Sequence, residues 1–246
     1  MAKEKKKYDP LSKEQFRLSR SSIDKFIKCP RCFYLELRWG IRSIKTYPYN
    51  LNIAVDELLK KEFDFYRREK KPHPLMLQFG VKAIPFSHPD FLTWRDNISE
   101  GVGSLHAETN FYVWGMMDDL WVNEKGELYL VDYKATSNDS EMKSMNPASM
   151  DGYSRQLEVY QWIFRKKGFQ VSDTAYWVNA NGDKKKERFD NTLTFRMTVI
   201  SHEGNDDWVE GTLEQIKECL DSEVVPESNK YCDTCRYVRE VGEREG

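Results

Sequence analysis

The sequence predicts a mixed α/β fold, a central mixed β-sheet of about five strands flanked by helices, with the chain ends clasped by a four-cysteine metal centre. Three observations carry this expectation. Apolar residues recur at helical spacing in several segments. Between them lie short aromatic and β-branched runs punctuated by turn residues. A CxxC pair stands near each end of the chain.

The elements follow in order. Ser21 to Trp39 carries Ile23, Phe26, Ile27, Phe33, Leu35 and Leu37 in a helical pattern entered through Ser21 or Ser22 as N-cap and interrupted at Pro30. This spells a helix, a break at the cysteines, and a second turn. Asn52 to Arg68 sets Ile53, Val55, Leu58, Leu59, Phe63 and Phe65 among charged residues, as an amphipathic helix does. Lys71 to Asp96 is proline-rich and has little periodicity, so it reads as a connection holding one short helix near Trp94. His106 to Trp114, Gly115 to Val122 and Glu127 to Lys134 read as three antiparallel strands, the last two joined by the turn Asn123-Glu124-Lys125-Gly126. Tyr153 to Lys167 has Leu157, Tyr160, Ile163 and Phe164 at helical spacing and stops at Gly168, a residue suited to a helix end. Ala175 to Asn179 and Leu193 to Ile200 are two further strands around the turn-rich Asn181 to Asp190, and Asp207 to Leu220 returns to helical spacing. The boundaries expected from this are a flexible tail over 1–20, one domain over 21–238 and a tail over 239–246.

Composition narrows the function classes. Lys and Arg total 38 against 40 Asp and Glu, so the net charge of -2 gives no global signature for a polyanionic partner, and any basic face is local. No apolar run approaches the ~20 residues of a membrane span, and the lysine-rich start lacks the apolar core of a signal peptide. A cytoplasmic location without a membrane partner is expected.

Chemistry concentrates between Gly115 and Lys134. Asp118 closes the run Gly115-Met116-Met117-Asp118, and Asp132 lies across the expected hairpin in Leu130-Val131-Asp132-Tyr133-Lys134. Carboxylates on adjacent strands can hold a hard cation such as Mg²⁺ or Mn²⁺. Strand alternation puts Asp132 and Lys134 on one face, where an ammonium can orient water and stabilise developing negative charge. Asp119 would point to the opposite face.

G-x-h-D, a hairpin, and h-h-D-x-K resemble the active-site signature of the PD-(D/E)XK nucleases. The Gln156-Leu157-Glu158-Val159-Tyr160 segment resembles the QxxxY motif of their RecB-like and Cas4-like branch. The likeness spans about Ser21 to Cys235. It implies a restriction-endonuclease-like core and a Mg²⁺- or Mn²⁺-dependent deoxyribonuclease, with Asp118 and Asp132 as metal ligands, the Tyr133 carbonyl as a further ligand, and Lys134 as the catalytic lysine. Gln156 and Tyr160, one helical turn apart, would contact DNA or support the site. Where this branch often carries a metal-binding histidine on a helix before the sheet, the chain offers Asp56 and Glu57, and Asp56 is the candidate replacement. His106, at the start of an expected strand, is a weaker candidate.

Cys29-Pro30-Arg31-Cys32 and Cys232-Asp233-Thr234-Cys235 supply four soft thiolates, a set that suits tetrahedral Zn²⁺ or a [4Fe–4S] cluster. Some relatives in the branch clasp their ends with an iron–sulfur cluster, and the resemblance favours that cofactor over Zn²⁺. They divide the cysteines one upstream and three downstream, whereas this chain divides them two and two. Cys219, alone within an expected helix, reads as a small buried apolar residue. Tyr153, Arg155, Trp162 and Arg165 flank the QxxxY helix and would suit single-stranded DNA, although Trp162 fits a core position and the arginines fit a solvated face equally well.

Two functions of different class are therefore expected. One is a metal-dependent deoxyribonuclease working on single strands or DNA ends in repair, recombination or defence. The other is a non-catalytic nucleic-acid-binding module of the same fold. RNA remains a second substrate class. No phosphate-cradling G-x-x-x-x-G-K-[ST] run is present, so a helicase partner would be a separate chain.

Overall fold

The computed structural model describes residues 6–42, 49–139 and 147–245. In chain order the elements are β1 (Phe16–Ser19), α1 (Arg20–Lys28), α2 (Pro30–Trp39), α3 (Asn50–Glu69), α4 (Pro74–Gln78), β2 (Ala83–Pro85), α5 (Phe91–Asp96), β3 (Val102–His106), β4 (Phe111–Gly115), β5 (Asp119–Asn123), β6 (Leu128–Thr136), α6 (Pro147–Lys166), β7 (Thr174–Gly182), β8 (Phe195–Glu203), α7 (Trp208–Asp221) and α8 (Asp233–Glu245). The chain divides into two compact units. The first comprises Met1–Tyr47, Ser104–Trp114 and Asp207–Gly246, the second Pro48–Gly103 and Gly115–Asp206.

The second unit is built on a five-stranded sheet in the order β2-β5-β6-β7-β8. Strands β5 and β6 are antiparallel, joined through a turn whose Gly126 takes φ 81°, a left-handed conformation a side chain would strain. Strands β6 and β7 run parallel, as the crossover through α6 requires, and β8 returns antiparallel to β7. Alternation along β6 sorts its residues between two layers. Val131 and Tyr133 join Leu59 and Phe63 of α3, Trp121 of β5 and Val178 of β7 in one buried cluster. Asp132 and Lys134, of the other parity, meet Gln156 of α6. Helix α6 buries Leu157, Tyr160, Ile163 and Phe164, and Trp162 is core as well.

The first unit holds a three-stranded sheet in the order β1-β4-β3, with β1 parallel to β4 in the register Phe16↔Phe111. Helices α1 and α2 pack against α7, burying Ile23, Phe33, Leu213, Ile216 and Leu220. The cap of α1 is Ser19, whose hydroxyl accepts from the Ser22 amide, and not Ser21 or Ser22 as expected. Pro30 does not merely interrupt a helix: it opens the full helix α2, where a missing N–H costs nothing.

Other expectations change. The stretch taken as an N-terminal tail contains β1, and its Tyr8 is buried, its amide donating to the Leu37 carbonyl and its hydroxyl to Asp221 Oδ1 at 2.7 Å. Solvated lysines around these anchors hide them in the sequence. Residues 1–5 and 246 lie outside the described residues. The expected C-terminal tail belongs to α8, an amphipathic helix with no buried residue. The expected strand His106 to Trp114 divides into β3 and β4, because the chain turns at Asn110 with φ 57°, which asparagine tolerates. Pro74 to Pro85 supplies α4 and β2 as well as loop; β2 is short, ends in Pro85 and sits at the sheet edge, where proline is accepted. Among the described residues no helix is long and apolar enough to cross a membrane.

Candidate active site and metal centre

Strand and helix registers in the second unit bring six of the seven expected metal-site and catalytic residues to one cleft of about 360 Å³. Asp56, Asp118, Asp132, Tyr133, Lys134 and Gln156 all line it, with Asn52, Leu59 and Tyr153. Asp132 is almost fully buried. Its Oδ1 accepts from Gln156 Nε2 at 2.7 Å, and its Oδ2 forms an ion pair with Lys134 Nζ. The Lys134 ammonium lies 3.4 Å from Gln156 Oε1 and 4.6 Å from the centre of the Tyr153 ring, so three contacts fix its position. Asp118 Oδ2 accepts the Tyr133 amide at 2.9 Å. That bond crosses the hairpin and pins the carboxylate beside Asp132.

Tyr160, one turn beyond Gln156, is buried and does not line the cleft. Its hydroxyl donates to the Met116 carbonyl, and its ring lies over Gly115, where an added Cβ would sit 2.6 Å from the hydroxyl oxygen. The glycine of G-x-h-D is thus required by close approach of the tyrosine of QxxxY. The two motifs, distant in sequence, are one packing unit.

Two features lie outside the set of site residues singled out from the sequence. Lys60, one turn after Asp56 on α3, bonds Asp56 Oδ2 at 2.7 Å and stands 3.7 Å from Asp118 Oδ1. The i,i+4 spacing of Asp56 and Lys60 was a visible signal. Beneath the cleft, Asp119 is fully buried, paired with Arg67 of α3 and accepting the Tyr133 hydroxyl at 2.6 Å. Asp119 therefore faces away from Asp118, as strand alternation predicts, into a polar network that nothing local in the sequence announces.

Three carboxylates confront two ammonium groups here, and two of the carboxyls, Asp56 and Asp132, are pushed up. Burial, reinforced by Asp118, pushes Asp132 up to about 7 against the pull of Lys134. Burial and the Asp118 charge also raise Asp56, despite Lys60. For Lys60, burial opposes the charged form, but Asp118 and Asp56 outweigh it and raise its pKa. Such a cleft favours an added hard cation, and its donors are oxygens, as Mg²⁺ or Mn²⁺ requires.

The flanking residues divide. Arg165 is held by Asp206 and, at 2.6 Å, by Asp173. His106 is buried and hydrogen-bonds Thr109 within its own turn at 2.9 Å. Burial raises the Cys219 thiol, consistent with a partly buried apolar role.

The cysteine centre lies wholly within the first unit. The sulfurs of Cys29, Cys32, Cys232 and Cys235 all fall within 4.8 Å of one another. Cys29 caps α2 and Cys232 precedes α8, so each CxxC pair spans the first turn of a helix. Burial works against a thiolate at Cys29, but hydrogen bonds from the Cys32 and Asn229 amides and from neighbouring thiols hold it at about 7. Burial pushes Cys32 up strongly and Cys235 up to about 11. This set of four thiols can hold a metal ion.

A profile of the PD-(D/E)XK nuclease superfamily matches residues 48–239, most of the chain. The chain belongs to the PD-(D/E)XK nuclease superfamily. The match takes in every residue of the carboxylate cleft, together with Cys232 and Cys235, and begins after Cys29 and Cys32. Among solved structures, the crystal structure of SSO0001 aligns at 13% identity and a TM-score of 0.40, covering 86% of this chain and 80% of that one. LHK-Exo in complex with dAMP aligns at 10% identity and a TM-score of 0.39, covering 93% and 94%. No curated protein sequence matches. Asp118, Asp132 and Lys134 all fall within the matched range.

Proposed function

We propose that this PD-(D/E)XK protein is a divalent-metal-dependent deoxyribonuclease of the RecB-like and Cas4-like branch, hydrolysing phosphodiester bonds in single-stranded DNA or at DNA ends. The observation that supports it is the convergence of Asp118, Asp132 and Lys134 in one open cleft, with the ammonium on the buried carboxylate. Asp118, Asp132 and the Tyr133 carbonyl would hold the cation, with Asp56 in place of the histidine common in this branch. A bound Mg²⁺ or Mn²⁺ would polarise a phosphoryl oxygen and lower the pKa of a bound water. Lys134 orients the attacking water and faces the negative charge that develops on phosphate. Gln156 shares Asp132 and Lys134 between the two ends of its amide and so fixes their separation. Tyr160 holds the Met116 carbonyl and thereby the segment carrying Asp118. Lys60 offsets the Asp56 and Asp118 charges before metal arrives.

The test is cleavage of labelled single- and double-stranded DNA and of RNA, with Mg²⁺, Mn²⁺ or chelator. Asp118→Asn and Asp132→Asn should each abolish metal-dependent cleavage while the circular dichroism spectrum is kept. Full cleavage by both variants would overturn the assignment.

A further inference from the structure

We infer that the four cysteines bind a single tetrahedral Zn²⁺ and not an iron–sulfur cluster. The inference goes beyond the nuclease reading and does not depend on it. The deciding observation is the spacing of the sulfurs. Cys32 Sγ lies 3.4 Å from Cys235 Sγ and 3.6 Å from Cys232 Sγ, and Cys29 Sγ lies 3.8 Å from Cys235 Sγ. Four thiolates sharing one zinc at about 2.3 Å stand at the corners of a tetrahedron whose edge is about 1.6 times that bond, or roughly 3.8 Å. The observed separations fit that edge. In a [4Fe–4S] cluster each cysteine ligates its own iron, so two thiolates are held apart by an iron–iron edge and by the outward splay of two Fe–S bonds. A group of sulfurs spanning no more than 4.8 Å has no interior for four irons and four sulfides.

The surroundings agree. The pairs enter from equivalent places, Cys29 and Cys32 on the first turn of α2, Cys232 and Cys235 on the first turn of α8. The Cys29 carbonyl accepts the Phe33 amide at 3.1 Å and the Cys232 carbonyl accepts the Arg236 amide at 2.9 Å, closing the first turn of each helix. Two helix N-termini thus face the sulfurs and favour their anionic form. Four soft thiolates with no carboxylate or imidazole among them make a closed structural set with no open position for a substrate or water. The ion would tie α2 to α8, which has no buried residue of its own to anchor it. Its binding energy is therefore folding energy for the C-terminal helix.

The full chain, purified anaerobically from cells supplied with both iron and zinc, tests this by metal analysis, acid-labile sulfide assay and visible spectroscopy. About one zinc per chain, no sulfide and a colourless protein are expected. Replacing the metal with Co²⁺ should give the thiolate-to-metal charge-transfer bands of a tetrahedral sulfur site. Cys32→Ser and Cys235→Ser should each bring zinc to well under half an equivalent and lower Tm, and the wild-type Tm should be insensitive to air or dithionite. A brown protein with iron and sulfide in similar amounts would overturn the inference. So would a folded, metal-free protein in which all four thiols react freely and zinc does not change Tm.

Discussion

Gly115→Ala tests the coupling of the two motifs most directly. The new methyl would stand 2.6 Å from the Tyr160 hydroxyl oxygen, 3.1 Å from Cε1 and 3.2 Å from Cζ. Real carbon atoms do not approach an oxygen that closely, so something must move. The Tyr160 ring is buried and its hydroxyl is tied to Met116, so the ring cannot swing into solvent. Overpacking of this kind costs about 1–3 kcal/mol. An alanine returns ~0.4–1 kcal/mol by restricting the unfolded chain. The net loss should be on the order of 1–2 kcal/mol, or a fall in Tm of roughly 2–8 °C for a chain of this length. Tyr160→Phe alone removes one buried hydrogen bond, worth about 1 kcal/mol. In the double variant the closest contact is gone, and those left, at 3.1 and 3.2 Å, relax with a shift of a few tenths of an ångström. The double variant should therefore be more stable than the sum of the singles by about 1 kcal/mol or more, a coupling measurable by urea and thermal denaturation. Cleavage should follow the same order, because Gly115 leads directly into Asp118. Additive losses would show that the glycine and tyrosine do not constrain each other.

Lys134→Ala should lower the cleavage rate by about 100-fold or more while DNA binding in the presence of Ca²⁺ stays near wild type, since the ammonium acts on charge that develops in the transition state; equal losses in binding and rate would make it a phosphate contact. The pH dependence of stability follows from Asp132. Burial raises its pKa in the folded, metal-free protein to about 7, from about 3.9 in the unfolded chain, so the stability it contributes is full below pH ~4 and lost as pH rises through ~7. In EDTA the Tm should decline across that window, Mg²⁺ should oppose the decline, and Asp132→Asn should flatten it; an unchanged slope in the variant refutes the account. Arg67→Ala leaves the fully buried Asp119 without its cation and should cost about 3–5 kcal/mol by urea denaturation, whereas a loss under 1 kcal/mol would mean that the Tyr133 hydroxyl suffices.

Features that depend on local period and spacing were legible along the chain. The β5–β6 hairpin was legible from its turn, the α3 and α6 helices from apolar spacing, and the pairing of Asp132 with Lys134 from strand alternation, because each rests on neighbours along the chain. The paired CxxC motifs likewise announced a shared centre. The rest came from packing between distant segments. Lys60 meets Asp118, and Arg67 meets Asp119, only because α3 packs against β6, a contact between segments far apart in sequence. Gly115 is bound to Tyr160 through a distance no spacing rule contains. Tyr8 and β1 looked like tail because one buried ring among lysines leaves no periodic trace until Leu37 and Asp221 arrive to hold it. The separation of the four sulfurs, which distinguishes one ion from a cluster, is set by where the first turns of α2 and α8 come to rest, and a CxxC spacing is the same for either occupant.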